Sequence, residues 1–287
     1  MRMTTRLKMM LEARRGITFP GAANAMFARV IEELGFEACY LTGAGVANMH
    51  LGAPDIGLTT LTEIANVTAA TSDAVDLPLL VDADTGFGNA VNMVRTVRVL
   101  ERAGAAGIQI EDQVFPKKCG HFDGKEVIPL PEMIAKIKAA VDSRGDADFQ
   151  IVARTDARAI EGLDAAIDRA HAFIEAGASA TFVEAPTSFA EMERIARELP
   201  APQIANIVFG GKTPDPGQAR LAEMGYAGVL YANAALQAAL RASFDVLASL
   251  KEYGSLDRVA DRLASFDERQ SAVAKPRWDA LEAKYRV

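Results

Sequence analysis

Eight short apolar runs recur along the chain, each followed by a polar turn and an amphipathic stretch, and this alternation restricts the fold more than any other feature. The runs cover residues 17–22, 38–42, 77–82, 107–111, 149–154, 180–184, 203–207 and 228–231. They are continuous rather than alternating in polarity, as expected of parallel strands covered on both faces. Helical patterns lie between them, for example at residues 89–102, 131–143, 162–176 and 189–198. Gly104, Gly177 and Gly225 follow helical segments, where a left-handed cap is useful. Strand–helix alternation with short connections predicts parallel strands joined by right-handed crossovers. Eight such units favour closure into a (β/α)₈ TIM barrel over an open, doubly wound sheet.

The 287 residues form one domain of this kind in the sequence reading, with residues 234–287 as a C-terminal helical extension. In that extension Leu250, Leu256, Val259, Leu263 and Phe266 are spaced like one buried face, and Trp278, Leu281 and Tyr285 continue it. Such a face packs either on its own subunit or on a neighbour. Half of the residues are hydrophobic and 24% are charged, a composition that supports a sizeable core. The net charge of −7 argues against nucleic acid or an anionic membrane as a partner. Residues 1–15 are basic but lack a continuous apolar core, so they read as a helix and not as a signal peptide. No stretch is apolar and long enough to span a bilayer. Two cysteines, Cys39 and Cys119, are too few for a disulfide framework, and a cytoplasmic setting is expected.

Polar residues gather where the apolar runs end. The third run leads into Asp82-Ala83-Asp84-Thr85-Gly86-Phe87-Gly88, the fourth into Glu111-Asp112-Gln113, the fifth into Arg154-Thr155-Asp156 and the sixth into Glu184-Ala185-Pro186. Asn206 closes the seventh. In a barrel these ends converge on one mouth, where active sites of the fold lie. Asp82 and Asp84 are two apart and share a face of the strand. With Glu111 they offer hard oxygen donors suited to Mg²⁺. Any one of these acids could be only a helix cap or a turn residue. The group of Asp82, Asp84, Glu111 and Arg154 on successive strand ends is harder to explain structurally, because uncompensated buried charge is costly.

Two further segments carry chemistry. In Lys117-Lys118-Cys119-Gly120-His121 a thiol is flanked by cationic groups that would ease its deprotonation. A lone cysteine in a basic surface loop is the plain alternative. No other Cys or His lies within ligand spacing, which disfavours zinc, and no Gly-x-Ser-x-Gly elbow is present. Tyr40-Leu41-Thr42-Gly43-Ala44-Gly45 offers backbone N–H groups and a hydroxyl to an anion. It lacks the lysine of a nucleotide-binding loop.

Taken in order, Leu41-Thr42-Gly43-Ala44-Gly45, Pro54-Asp55-Ile56-Gly57, the Asp82–Gly88 segment, Ile110-Glu111-Asp112-Gln113, the Lys117–His121 segment, Arg154-Thr155-Asp156, Val183-Glu184-Ala185-Pro186 and Asn206 resemble the isocitrate lyase and phosphoenolpyruvate mutase superfamily. The match spans nearly the whole chain, and the length is similar to that of the short carbon–carbon lyases, the 2-methylisocitrate and 2,3-dimethylmalate lyases. The resemblance implies a barrel with a helix exchanged between subunits, a homotetramer, and Mg²⁺, with Mn²⁺ able to substitute. Asp84 would then ligate the metal directly, with Asp82 and Glu111 acting largely through water. Thr42, Gly43, Ala44 and Arg154 would bind a small dicarboxylate, Asp55 would orient the site, and Glu184 and Asn206 would line it. Cys119 would be the acid, tuned by Lys118 and His121. The implied activity is retro-aldol cleavage of a small 2-hydroxy di- or tricarboxylate to an α-keto acid such as pyruvate. Rival readings are an oxaloacetate decarboxylase or hydrolase, a phosphonopyruvate-type mutase, or a non-catalytic binding barrel. Three positions depart from the pattern: Phe209 stands near where lyases of this group usually carry Glu, and Phe122 and Gln109 stand where methylisocitrate lyases usually have Arg and His.

Overall fold

The computed structural model describes residues 1–120 and 124–286. Eight strands are present: β1 (Ile17–Ala22), β2 (Cys39–Leu41), β3 (Leu79–Asp82), β4 (Gly107–Glu111), β5 (Gln150–Thr155), β6 (Ala180–Val183), β7 (Ile204–Asn206) and β8 (Gly228–Tyr231). All named pairings are parallel, in the order β6-β5-β4-β3-β2-β1-β8-β7. A parallel bridge between Thr181 and Gln203 joins the two ends. The sheet is therefore a nearly closed (β/α)₈ barrel. Each run seen in the sequence holds one strand, and the shifts at the ends are one or two residues.

The helices are α1 (Met3–Glu12), α2 (Ala25–Glu33), α3 (Gly43–His50), α4 (Leu61–Ala74), α5 (Ala90–Arg102), α6 (Leu130–Ser143), α7 (Arg158–Glu161), α8 (Leu163–Glu175), α9 (Phe189–Glu198), α10 (Gln218–Met224), α11 (Ala234–Tyr253), α12 (Phe266–Ala272) and α13 (Lys275–Tyr285). Local chemistry sets their ends. Thr60 and Asn89 cap α4 and α5 through reciprocal capping boxes, and Ser188 caps α9. Gly104, Gly177 and Gly225 all adopt positive φ just after helices.

Two apolar layers follow. Phe19, Tyr40, Leu80, Val152, Phe182, Ile204 and Leu230 fill the barrel interior together with Leu7, Met10 and Leu11 of α1. Arg2 of that end of the chain pairs with Asp146 and Asp148, just before β5. The first helix thus plugs the amino-terminal end of the barrel and leaves the opposite mouth to the polar residues. An outer layer, with Met93, Val97, Ile137 and Phe173 among its members, joins helices to strands.

The C-terminal extension differs from the expectation. Of the five residues read as one buried face, only Val259 is buried; Leu250, Leu256, Leu263 and Phe266 are exposed. The twenty-residue α11 has no buried residue, and Phe244 and Leu247 are 67% and 60% exposed. Among the described residues nothing buries this face.

Candidate active site

The carboxyl ends of the strands bring most of the expected residues into one mouth. Asp82 is the last residue of β3, and both its oxygens are taken by backbone: Asp84 N–H at 3.1 Å and Gly43 N–H at 3.3 Å. Asp84 follows in a left-handed conformation with φ of 47°, which turns its side chain back towards Asp82. Gly43 starts α3 so close to this pair that an added Cβ would lie 2.9 Å from an Asp82 oxygen and 3.3 Å from an Asp84 oxygen. The segment read as a Gly-rich turn is in fact a helix N-terminus. Thr42 caps it by accepting from Gly45 N–H at 3.1 Å.

Charge is balanced in two linked groups. In the first, the Lys117 ammonium is 2.7 Å from Asp84 and also hydrogen-bonds Asp55. Burial works against that ammonium, but Asp84, Glu111, Asp55 and Asp82 outweigh it and hold its pKa well above the usual lysine value. Burial likewise raises Asp84 to about 6, with Lys117 pulling down and Asp82 and Asp55 pushing up. Glu111, wholly buried, is pushed well above the usual carboxylate range by desolvation, against the pull of Arg154 and Lys117. In the second group Arg154 makes a two-pronged pair with Asp156 at 2.9 and 3.1 Å, and lies 3.3 Å from Glu111 and 3.6 Å from Glu184. Phe182 stacks beneath the guanidinium at 5.3 Å. Asn206 Nδ2 lies 3.5 Å from both oxygens of Glu184.

The segment after β4 covers this mouth. Gln113 brackets Lys118, accepting from its N–H at 2.9 Å and donating to its carbonyl at 2.8 Å. Lys125 donates to the Gly120 carbonyl and, at 2.6 Å, to Asp156. Gly120 sits directly on the second charge group, since an added Cβ would be 2.4 Å from an Arg154 nitrogen and 2.6 Å from Glu184. Half-buried Cys119 lines a cavity of about 30 Å³ together with Thr42, Asp55, Asp82, Lys117 and Arg154. That is room for about one or two waters. Lys118, expected beside the thiol as a tuning group, is instead exposed, and its ammonium bonds the Gly124 carbonyl at 2.6 Å. Successive side chains of an extended segment point to opposite sides, so the inward lysine is Lys117. His121 and Phe122 lie outside the described residues.

Does the acid cluster fit a divalent cation? Among the described residues no three acidic, cysteine or histidine side chains converge into a ready-made ligand set. A cage of the zinc or calcium kind is therefore a poor fit. Asp84 Oδ1 is met by the Lys117 ammonium at 2.7 Å, whereas Glu111 Oε1 is buried and has no partner among the described residues. A buried carboxylate oxygen in that state is costly unless a cation or water meets it. Mg²⁺ keeps several waters and uses one or two carboxylates, and the residues present fit that mode.

Several residues in the site received no role from the sequence. Lys117 was read only as a flank of the thiol, Asp156 and Gln113 as parts of motifs, and Lys125 was not singled out. A buried lysine six residues after a loop cysteine leaves no local signal; only the fold brings Lys125 to Asp156. Gln109, at a departing position, is fully buried and accepts from the Tyr40 hydroxyl at 3.0 Å, inside the barrel.

Comparison with known proteins gives a consistent picture. Residues 7–251 match the family described as phosphoenolpyruvate phosphomutase. A 2,3-dimethylmalate lyase from Eubacterium barkeri is 44% identical over 285 residues, 99% of each chain. A crystal structure of a 2,3-dimethylmalate lyase superposes with a TM-score of 0.94 at 31% identity, covering 100% of this chain and 96% of the other. A 2-methylisocitrate lyase from Aeropyrum pernix is 47% identical over 278 residues, 97% of this chain and 89% of the relative. Phosphonopyruvate hydrolase, solved as a complex with oxalate and Mg²⁺, superposes with a TM-score of 0.88 at 30% identity over 99% of both chains.

Proposed function

The chain belongs to the phosphoenolpyruvate mutase/isocitrate lyase superfamily and sits among its lyases, and from that premise we propose that it cleaves a 2,3-dimethylmalate-type substrate with Mg²⁺ as cofactor. The observation that carries this reading is that Asp82, Arg154 and Cys119 line one cavity, with Glu111 paired to Arg154 and Asp84 paired to Lys117, which lines it too. Mn²⁺ would substitute for Mg²⁺, being another oxygen-seeking ion of octahedral habit.

Each side chain has a task in the reaction. Arg154, held by Asp156, grips the carboxylate next to the 2-hydroxyl, and the N-terminus of α3 with Thr42 takes the second carboxylate. Asp84, with Asp82 and Glu111, would hold the cation. Bound there, Mg²⁺ would lower the pKa of the 2-hydroxyl and so ease its deprotonation. Loss of that proton lets the C2–O bond become a carbonyl as the C2–C3 bond breaks. The electron pair moves to C3, where the adjoining carboxylate spreads it. Cys119 then gives its proton to C3, and for 2,3-dimethylmalate the products are pyruvate and propionate. Asp55 steadies Lys117 against the acids, and Glu184 with Asn206 backs Arg154. Opening of the Cys119–Gly120 segment admits substrate, and its closure excludes water.

The substrate assignment rests on apolar residues at the departing positions. Phe209, 89% exposed, borders a cavity that shares Val208 and Asn233 with the active-site cavity. An alkyl substituent suits that wall better than a third carboxylate. The test is a panel of 2-hydroxy di- and tricarboxylates with Mg²⁺ and keto-acid detection. The expected outcome is a higher kcat/KM for 2,3-dimethylmalate than for 2-methylisocitrate, with Cys119→Ser at least about a hundredfold slower. Preference for 2-methylisocitrate, or full activity of Cys119→Ser on oxaloacetate, would overturn the assignment.

The exposed face of α11 supports a homotetramer in which the C-terminal helices, residues 234–287, are exchanged between subunits around one barrel domain per chain. A cytoplasmic setting completes the reading. No helix among the described residues is long and apolar enough to cross a membrane.

A further inference from the structure

A second cavity lies apart from the active site. It measures about 650 Å³, lies outside the barrel wall between the start of α4, the β3–α5 loop and α6, and shares no lining residue with the cavity around Cys119. That volume is typical of small-molecule sites. Its floor holds Lys136 of α6, only 4% exposed. Among the described residues the Lys136 ammonium makes one hydrogen bond, 3.2 Å to the Thr85 carbonyl, and joins no ion pair. An ammonium has three N–H donors, so two are left to face the cavity. Burial pulls the pKa of Lys136 below the ordinary lysine value, against the pull of Glu132. A second cation, Arg95, stands at the rim, exposed and likewise in no ion pair among the described residues. The walls are apolar: Phe87 lines the inside, and Leu58 and Phe115 stand 50% and 65% exposed at the opening.

We propose that this cavity is a second ligand site for a small amphipathic carboxylate, its tail against Leu58, Phe87 and Phe115 and its head on Lys136 and Arg95. A buried donor without an anionic partner calls for an acceptor, and the apolar walls set the rest of the ligand. Glu132, also in the lining, disfavours a polyanion.

The floor of the site touches the loop that sets Asp84. Thr85 adjoins Asp84, and φ is positive at Asp84, Gly86, Phe87 and Gly88, at 47°, 88°, 57° and 143°. So constrained a loop depends on its anchors. They are Lys136 on the Thr85 carbonyl, the Thr96 hydroxyl on the Gly86 carbonyl at 3.0 Å, and Thr59, whose hydroxyl lies 3.4 Å from an Asp84 oxygen. A carboxylate on Lys136 competes with the Thr85 carbonyl for that ammonium and so changes the hold on Asp84. The ligand therefore acts as an effector of cation binding; this half of the proposal rests on the reading of Asp84 as a metal ligand, whereas the binding half does not.

The test is calorimetric titration of the full-length protein, in its native assembly, with octanoate, n-octanol and octylamine. Octanoate binds saturably, once per chain, with n-octanol at least tenfold weaker and octylamine not at all. Lys136→Met weakens octanoate at least tenfold, and Thr62→Trp, which fills the opening, does the same should the first variant fold poorly. Asp84→Asn leaves octanoate binding within twofold, which separates this site from the catalytic reading. No saturable binding at millimolar octanoate, equal affinity for n-octanol, or displacement by excess 2,3-dimethylmalate would overturn the site. In wild type, octanoate shifts the Mn²⁺ dissociation constant at least twofold, and in Lys136→Met it does not; an unmoved constant would overturn the coupling.

Discussion

At the scale of single residues, the reaction depends on groups that hold other groups. Lys125 never faces the cavity, yet it ties the Gly120 carbonyl to Asp156, which in turn fixes Arg154. Lys125→Met keeps the stem and removes the tie. Misplacing a catalytic loop by about an ångström costs on the order of a hundredfold. The expected result is a fall in kcat/KM of about ten- to a hundredfold, carried mainly by kcat, together with a lower Tm because Asp156 loses one of its buried cations; a kcat/KM within twofold of wild type would show that the tie is idle. Residue roles were only partly legible in the sequence. Asp82, Asp84, Glu111 and Arg154 stood out because charge at the end of an apolar run needs a reason. Lys117 and Lys118 are adjacent and alike in composition, and only the extended backbone between Pro116 and Cys119 turns one inward and the other outward.

At the scale of elements, the barrel was legible because each strand is an unbroken apolar run and each helix carries its own punctuation. The stretch read as helical from residue 89 does start there, capped by Asn89, and Thr60 and Ser188 cap α4 and α9 in the same way. What pattern reading could not reach was close approach between elements. Gly21 in β1 lies against Ala232, just past β8, and an added Cβ would be 1.9 Å from that backbone carbonyl oxygen. Gly21 has no positive φ to mark it; its constraint comes from a residue more than two hundred positions away. Because backbone cannot swing aside as a side chain does, Gly21→Ala should cost about 3 kcal/mol or more. Thermal denaturation that leaves Tm within a degree or two of wild type would contradict the packing described for this seam. Residues 43–50 show the converse error. A run of Thr42-Gly43-Ala44-Gly45 reads as a turn, but Thr42 caps a helix whose glycines allow α3 to press against Asp82 and Asp84.

At the scale of the whole molecule, the C-terminal helices were read as one buried face and are largely exposed in a single subunit, because apolar spacing reports that a face is buried without saying by what. Exposed Phe244 and Leu247 on one helix exceed what a monomer tolerates comfortably. Leu247→Asp should therefore shift the protein to smaller assemblies in light scattering, whereas a wild-type monomer would contradict the exchanged-helix assembly. The central claim, however, concerns the mouth of the barrel: buried carboxylates seat one divalent cation, and that cation serves carbon–carbon cleavage above Arg154. The most direct measurement is pyruvate release from 2,3-dimethylmalate by metal-stripped protein as Mg²⁺ is added back. The account predicts no release without Mg²⁺, saturable recovery with it, and at least about a hundredfold loss in Asp84→Asn at saturating Mg²⁺. Equal rates with and without the cation, or an Asp84→Asn variant as active as wild type, would contradict it.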